Sequence, residues 1–154
     1  MTNEALQTHI LQLEPAAECS ENKQFLIATI PAQSLHLVAK SLKESNNTLF
    51  DYLISLTGVD NNPSLGVVYH LESTRFQHTI VLKTATENRE KPELDSVCDL
   101  WKGAELQERE VYDFLGIQFK NHPDMRRIFL DDEWKGFPLR KDYVDTINIV
   151  DLIK

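Results

Sequence analysis

The stretch that decides the fold lies near the middle of the 154-residue chain, where residues 65–85 read LGVVYHLESTRFQHTIVLKTA. Apolar and polar side chains alternate through residues 65–73 and again through residues 77–85, which is the period of a strand with one buried face. The short run Thr74-Arg75-Phe76 between them has the length of a connection between antiparallel strands. These residues therefore predict a β-hairpin.

The segments on either side of the hairpin extend it into an α+β fold. Residues 49–59 predict a third strand of the meander, and residues 24–30 predict a further strand that stops at Pro31. Helical spacing of apolar residues predicts helices over residues 4–13, from Pro31 to about Ser45, and over 97–115, the last one broken near Gly103 and capped by Gly116. The expected fold is a mostly antiparallel sheet with helices packed on one face.

Composition excludes several classes of function. The chain has 16 basic and 24 acidic residues, a net charge of −8, and a phosphate-backbone binder needs a basic face. No apolar run has the length of a membrane span, and the N-terminus does not have the pattern of a signal peptide. Two cysteines, Cys19 and Cys98, favour a reducing compartment and are too few for an iron–sulfur cluster. The five glycines form neither a dinucleotide fingerprint nor a P-loop.

The pattern of the sequence changes after Gly116. Residues 117–143 have no long periodic pattern but are rich in aromatic residues and contain two prolines, so we divide the chain into an α+β domain, residues 1–116, and an extended docking arm with a short C-terminal tail, residues 117–154. Arginine and large aromatic residues dominate protein–protein hot spots. We expect this arm to need a partner surface for its order.

The charged residues of the last predicted helix have two interpretations. Glu105, Arg109 and Asp113 share one helix face and predict a solvated ladder of ion pairs. The alternative is a hydrolase in which Glu108 or Glu110 acts as a general base with His122. No nucleophile accompanies these carboxylates, and the five histidines have no zinc-ligand spacing. We therefore expect no catalytic, cofactor-binding or metal-binding residue in this chain.

A longer set of residues resembles a known family. The set includes Glu108-Arg109-Glu110, Tyr112-Asp113, His122-Pro123-Asp124, Arg126-Arg127 and Pro138-Leu139-Arg140-Lys141-Asp142-Tyr143. With upstream matches such as Leu56-Thr57-Gly58-Val59-Asp60, it resembles the C subunit, also known as the 30-kilodalton subunit, of the proton-pumping NADH:quinone oxidoreductase, respiratory complex I. The resemblance is close over residues 49–143.

The resemblance implies a structural role in electron transfer from NADH to quinone. Members bind no cofactor themselves; the iron–sulfur clusters, FMN and quinone belong to partner subunits. The implied partners are chiefly the D and B subunits, with the I subunit as a further candidate, on the cytoplasmic side of the inner membrane or the equivalent organelle face. Membrane association is then only through the complex. An alternative is the equivalent subunit of a membrane-bound, energy-converting [NiFe] hydrogenase. The residues expected to be structural or to bind the partner are Glu108, Arg109, Glu110, Tyr112, Asp113, His122, Pro123, Arg126, Arg127, Trp134, Arg140, Lys141, Asp142 and Tyr143.

Overall fold

The computed structural model of the chain describes residues 2–145. It contains three α-helices and seven strands in that range. The helices are α1 (Asn3–Leu13), α2 (Leu35–Glu44) and α3 (Ala104–Leu115), and a short 3₁₀ turn, Ala32–Ser34, precedes α2. The strands are β1 (Glu18–Glu21), β2 (Leu26–Thr29), β3 (Tyr52–Asp60), β4 (Leu65–Ser73), β5 (His78–Thr86), β6 (Glu93–Asp95) and β7 (Gln118–Lys120).

The predicted hairpin is the centre of a five-stranded sheet. Strands β4 and β5 pair antiparallel along their whole length, from Leu65 opposite Thr86 to Ser73 opposite His78. The strand order is β1-β2-β5-β4-β3, and all neighbours are antiparallel except β2 and β5, which are parallel. The α+β fold class with a mostly antiparallel sheet is confirmed.

One face of this sheet forms the apolar core with the helices. Alternate residues of β4 and β5, such as Tyr69, Leu71 and Leu82, point inward and are buried. The apolar faces of α1 and α2 enter the same cluster, because their apolar residues recur at helical spacing. The side chains that they contribute are Leu6, Ile10, Leu35, Val38, Ala39 and Leu42.

The structure differs from the sequence prediction around α3. The spacing predicts helix over residues 97–103, but they form turns in which the N–H groups of Leu100 and Trp101 both donate to the carbonyl of Val97, at 3.0 and 2.9 Å. The prediction is wrong because this compact turn buries Val97 and Trp101, and the Trp101 indole donates to the Phe50 carbonyl at 3.0 Å. The helix begins at Ala104.

Three short strands lie outside the predicted elements. Strand β1 extends the sheet beyond β2. Strands β6 and β7, which precede and follow α3 in the sequence, pair parallel as a separate two-stranded sheet. These three strands have three or four residues, of which at most one is a large apolar residue, so neither their period nor their composition predicts them. Strand β2 is as short, but its residues are mostly apolar. Within residues 2–145, no helix is long and apolar enough to span a bilayer.

Candidate functional site

Helix α3 presents most of its charged motif to the interior. Glu108, Arg109 and Asp113 are all buried. The predicted solvated ladder is therefore wrong, because Arg109 and Asp113 face chain segments that follow the helix and bind those segments instead of each other. Glu105, the third residue of the ladder, is partly exposed.

The Glu108 carboxylate fixes the turn that precedes the helix. Its Oε1 accepts the Val97 N–H at 2.8 Å, and its Oε2 accepts the Ser96 hydroxyl at 2.7 Å and the Cys98 thiol at 3.1 Å. Burial raises the pKa of Glu108, against the opposing effect of these hydrogen bonds. Burial likewise raises the pKa of the Cys98 thiol to about 12. The thiol is therefore protonated at neutral pH, which agrees with its donating to the Glu108 carboxylate.

His122 completes a cluster with these two residues. One ligand atom each from Cys98, Glu108 and His122 lies within 4.8 Å of the others. The His122 Nε2 contacts the Glu105 carbonyl at 3.0 Å, so it carries the proton, and Nδ1 accepts the Asp124 N–H at 2.9 Å. With both ring nitrogens in use, the cluster takes a metal or acts as a base only after one of these bonds breaks. It is built as a hydrogen-bonded support.

The Asp113 carboxylate binds the residues that follow His122, and we refer to these contacts as the Asp113 clasp. Its Oδ2 accepts three consecutive N–H groups, and its Oδ1 lies 2.8 Å from the Arg127 guanidinium. Burial would raise the pKa of Asp113, but the donors outweigh it and hold this pKa below its ordinary value. The three N–H groups belong to Ile128, Phe129 and Leu130, at 3.1, 2.7 and 2.9 Å.

Two arginines extend the clasp through backbone carbonyls. Arg109 donates to the carbonyls of Arg126 and Arg127, at 3.1 and 2.9 Å. Arg127 in turn donates to the carbonyls of Trp134 and Gly136, at 3.1 and 3.0 Å. Guanidinium groups offer several donors in a fixed plane, so they suit a segment without regular secondary structure. The arm is thus bound along residues 126–136 to α3.

A second carboxylate, at the end of β3, binds the end of the arm and the loop after β5. Asp60 pairs with Arg89 at 2.8 Å and accepts the Lys141 N–H at 2.9 Å. The Arg89 guanidinium, above all, holds the pKa of Asp60 well below its usual range although burial opposes this. Arg89 also pairs with Asp142 at 3.0 Å. Neither Asp60 nor Arg89 is among the predicted site residues. Asp60 belongs to the upstream match to the family, but no periodicity relates the end of β3 and the loop after β5 to the arm.

Gly116 is the joint between α3 and the arm. It ends the helix in the left-handed region, with φ +73°, as predicted. A Cβ at this position would lie 2.5 Å from the Phe137 ring and 2.7 Å from the Arg140 guanidinium, so the arm packs directly on the joint. Arg140 donates to the carbonyls of Leu115 and Arg89, at 2.6 and 3.0 Å.

The aromatic site residues pack within the same junction. The Tyr112 ring lies edge-on to Phe137 at 6.1 Å, and the Tyr143 ring lies beside Gly136. Trp134 remains exposed by 39%. Pro123 lies between His122 and Asp124, in the turn in which the Asp124 N–H donates to the His122 Nδ1. The composition predicts an arm that depends on a partner for its order. The arm also forms hydrogen bonds or ion pairs with its own domain, at residues 122, 127–130 and 139–142.

Several charged residues of the motifs are exposed, namely Glu110, Arg126, Lys141 and Asp142. Glu110 lines a groove between β3 and α3, and its carboxylate makes no hydrogen bond or ion pair among residues 2–145. Arg126 is 71% exposed and pairs only with Asp124, at 2.9 Å. The structure thus separates Glu110 from His122, whereas it places Glu108 next to His122. Arg126 also differs from Arg127 and Arg140. Arg126 donates only to its neighbour Asp124, whereas Arg127 donates to Asp113 and to carbonyls of the arm, and Arg140 donates to the carbonyls of Leu115 and Arg89.

The fold and the junction define an α+β domain whose C-terminal arm is bound back to a helix by buried charges. The family model described as the respiratory-chain NADH dehydrogenase 30 Kd subunit matches residues 28–147. This range contains the sheet apart from its first strand and part of β2, together with α3 and both carboxylate contacts. The chain belongs to this family.

Several known proteins are similar to this chain in sequence. The C/D subunit of the NADH-quinone oxidoreductase of Phocaeicola vulgatus is 57% identical over 120 residues, which are 77% of this chain and 23% of that protein. This chain therefore corresponds to about a quarter of that relative. The C subunit of the NADH-quinone oxidoreductase of Moorella thermoacetica is 37% identical over 86% of this chain and 88% of its own length.

A solved structure shares the fold. A chain of the membrane-bound sulfane sulfur reductase, an archaeal respiratory membrane complex, superposes with a TM-score of 0.79 at 28% identity, covering 97% of this chain and 89% of its own. The match includes both the sheet and the arm, since it extends over nearly the whole chain.

Proposed function

We propose that this chain is the C subunit, or C domain, of a proton-pumping NADH:quinone oxidoreductase. In this proposal it is a scaffold in the peripheral part of the complex, on the cytoplasmic side of the membrane. It packs on the D subunit near the quinone site and also neighbours the B subunit, with the I subunit as a further candidate neighbour. Electrons pass from NADH to quinone through the FMN and iron–sulfur clusters of partner subunits. The chain itself contributes no catalytic residue.

The family match over residues 28–147 is the observation that carries the proposal. The C/D relatives favour the D subunit as the partner, since one polypeptide there bears both subunit names. The geometry of the junction favours a scaffold. The polar side-chain atoms of Glu108, His122 and Cys98 form hydrogen bonds with the chain's own backbone and side chains, which favours a structural role for these residues.

A second candidate is the equivalent subunit of a hydrogenase-related membrane complex. The observation that favours it is the superposition on the archaeal sulfane sulfur reductase complex. Both candidates place the chain beside a larger subunit, and they differ in the electron donor and acceptor of that assembly.

The partners of the chain decide between these candidates. A tagged chain purified from its own membranes with mild detergent is expected to retain the D and B subunits, identified by mass spectrometry, and NADH:quinone reductase activity. Retention of a hydrogenase-type large subunit without NADH oxidation would favour the second candidate. A tagged chain that retains neither would contradict both.

The cofactor-free role needs its own measurement. The purified chain alone is expected to carry no stoichiometric iron, zinc or flavin in elemental analysis and absorption spectra. The Cys98→Ser variant is the matched control, because it removes the only thiol of the Cys98–Glu108–His122 cluster. One equivalent of metal in the wild-type chain, lost in this variant, would contradict the cofactor-free role.

A further inference from the structure

The outward face of α3 forms an apolar surface with a single charge. Leu106, Glu110 and Phe114 recur every four residues, so they share one face of the helix. Phe129 stacks on Phe114 with ring centroids 5.6 Å apart, and the Leu139 N–H donates to the Phe114 carbonyl at 3.1 Å. We refer to these five residues as the α3 outer surface.

This surface is more apolar than a solvated helix face. Leu106, Phe129 and Leu139 are 59%, 63% and 63% exposed. Exposed apolar side chains that gather on one side of a soluble protein mark interaction sites. Leu139 and Phe114 border the groove between β3 and α3, whose volume is about 290 Å³. A groove at the lower limit of ligand pockets suits one or two side chains of a protein partner better than a small molecule.

The Asp113 clasp holds this surface in place. It fixes the backbone of Phe129, and the Arg140 contact to the Leu115 carbonyl fixes the residue next to Leu139. Both apolar side chains of the arm are thus presented by backbone that is already bound. Such preorganisation reduces the entropy that binding costs.

We infer that the α3 outer surface is where the D subunit docks, through an apolar segment that carries a lysine or arginine opposite Glu110. The inference rests on the proposed function, because the C/D relatives name D as the attached partner. The charge argument is specific to this surface. Glu110 is an acidic group among apolar side chains with no partner in the described part of the chain, so a docking protein must supply a cation when the surface closes.

A photo-crosslinker tests the location of the contact. The full chain is co-expressed with the other subunits, with benzoyl-phenylalanine at Leu106 in one variant and at Leu37 in the control. Leu37 is similarly exposed, at 57%, but lies on α2. We expect the D subunit to crosslink from position 106 and not from position 37. A complex that retains the D subunit but crosslinks from 106 to another protein, or to none, would overturn the inference and leave the proposed function intact.

A charge reversal tests the role of Glu110. We expect Glu110→Lys to weaken retention of the D subunit at least about tenfold, while Glu44→Lys, the same change at an exposed position of α2, leaves it unchanged. Equal retention in both variants would overturn the inference. If the wild-type chain does not retain the D subunit at all, the proposed partner fails as well, and this outcome is distinct from a failure of the surface alone.

Discussion

The five-stranded sheet and the junction between α3 and the arm are stabilised in opposite ways. The sheet buries aliphatic and aromatic side chains against α1 and α2. The junction buries Glu108, Arg109 and Asp113 and satisfies them with backbone groups of neighbouring segments. Apolar packing tolerates small adjustments of a strand, whereas a buried charge fixes the segment whose N–H or carbonyl it binds. The buried charges of the junction therefore fix the position of the arm relative to α3.

Removal of the Asp113 carboxylate is expected to have the largest effect on the junction. Asp113→Ala leaves the Arg127 guanidinium without its ion pair and three N–H groups without an acceptor, so we expect the free energy of unfolding to fall by about 3–5 kcal/mol. Urea denaturation of the purified chain measures the change. The sheet control is Leu82→Ala, a buried truncation for which about 2–5 kcal/mol is ordinary.

A double variant shows whether the carboxylate and the arginine act as a unit. We expect Asp113→Ala/Arg127→Ala to lose less stability than the sum of the two single variants, because the second change removes the uncompensated charge. Additive losses would show that Asp113 and Arg127 act independently, which contradicts the clasp.

The next largest effect is expected at Gly116, the joint between α3 and the arm. Gly116→Ala places a Cβ against Phe137 and Arg140 at a residue with φ +73°, and we expect a loss of about 1–3 kcal/mol in unfolding free energy. The arm should also become more accessible to limited proteolysis while β4 and β5 stay protected from hydrogen exchange. Gly103→Ala is the control, since its Cβ would approach only a Gln107 side-chain atom, at 3.9 Å. Equal behaviour of the two variants would contradict the role of Gly116 as a joint.

The same two regions show how far the sequence allows prediction. The alternation in residues 65–85 locates β4 and β5 within one residue, because one face of each strand is buried and the other is not. The spacing of Glu105, Arg109 and Asp113 is the same whether the helix face meets water or a following segment. Periodicity therefore locates the helix but does not show that Arg109 and Asp113 are buried.

The resemblance supplies what periodicity does not. It identifies the residues from Glu108 to Tyr143 as one set, although it does not separate the inward members, such as Arg127, from the outward ones, such as Arg126. Asp60 belongs to the upstream match to the family, but neither Asp60 nor Arg89 is predicted as a site residue. Their contact with the arm depends on how the end of β3, the loop after β5 and the arm meet in the folded chain.

The pH dependence of stability provides a smaller effect that depends on Glu108. Its pKa is raised above 4.5 in the folded chain, so its favourable contribution is fully present below the unfolded pKa and is lost as pH rises through the folded pKa. Glu108→Gln does not titrate. We therefore expect the unfolding free energy of the wild-type chain, relative to this variant, to decrease as pH rises above 4.5.

Urea denaturation of both proteins from about pH 4 to pH 7 measures this difference. The lowered pKa of Asp113 acts in the opposite direction, at acid pH, but it is common to both proteins and is expected to cancel in the comparison. A relative stability that increases with pH would show that the carboxylate is better stabilised than the acid at this position, and would contradict burial as the dominant effect.

The smallest effect is expected at Arg126, the outward neighbour of Arg127. Arg126 pairs only with Asp124 at the surface, and such exposed pairs add little to stability. Arg126→Ala should leave the urea midpoint of the isolated chain unchanged within error, whereas Arg127→Ala should lower it clearly, because Arg127 binds Asp113 and two carbonyls of the arm. Two adjacent arginines would then differ only in the direction that the arm backbone gives them. A loss at Arg126 as large as that at Arg127 would show that the outward charge also holds the arm, and the division between inward and outward residues would have to be abandoned.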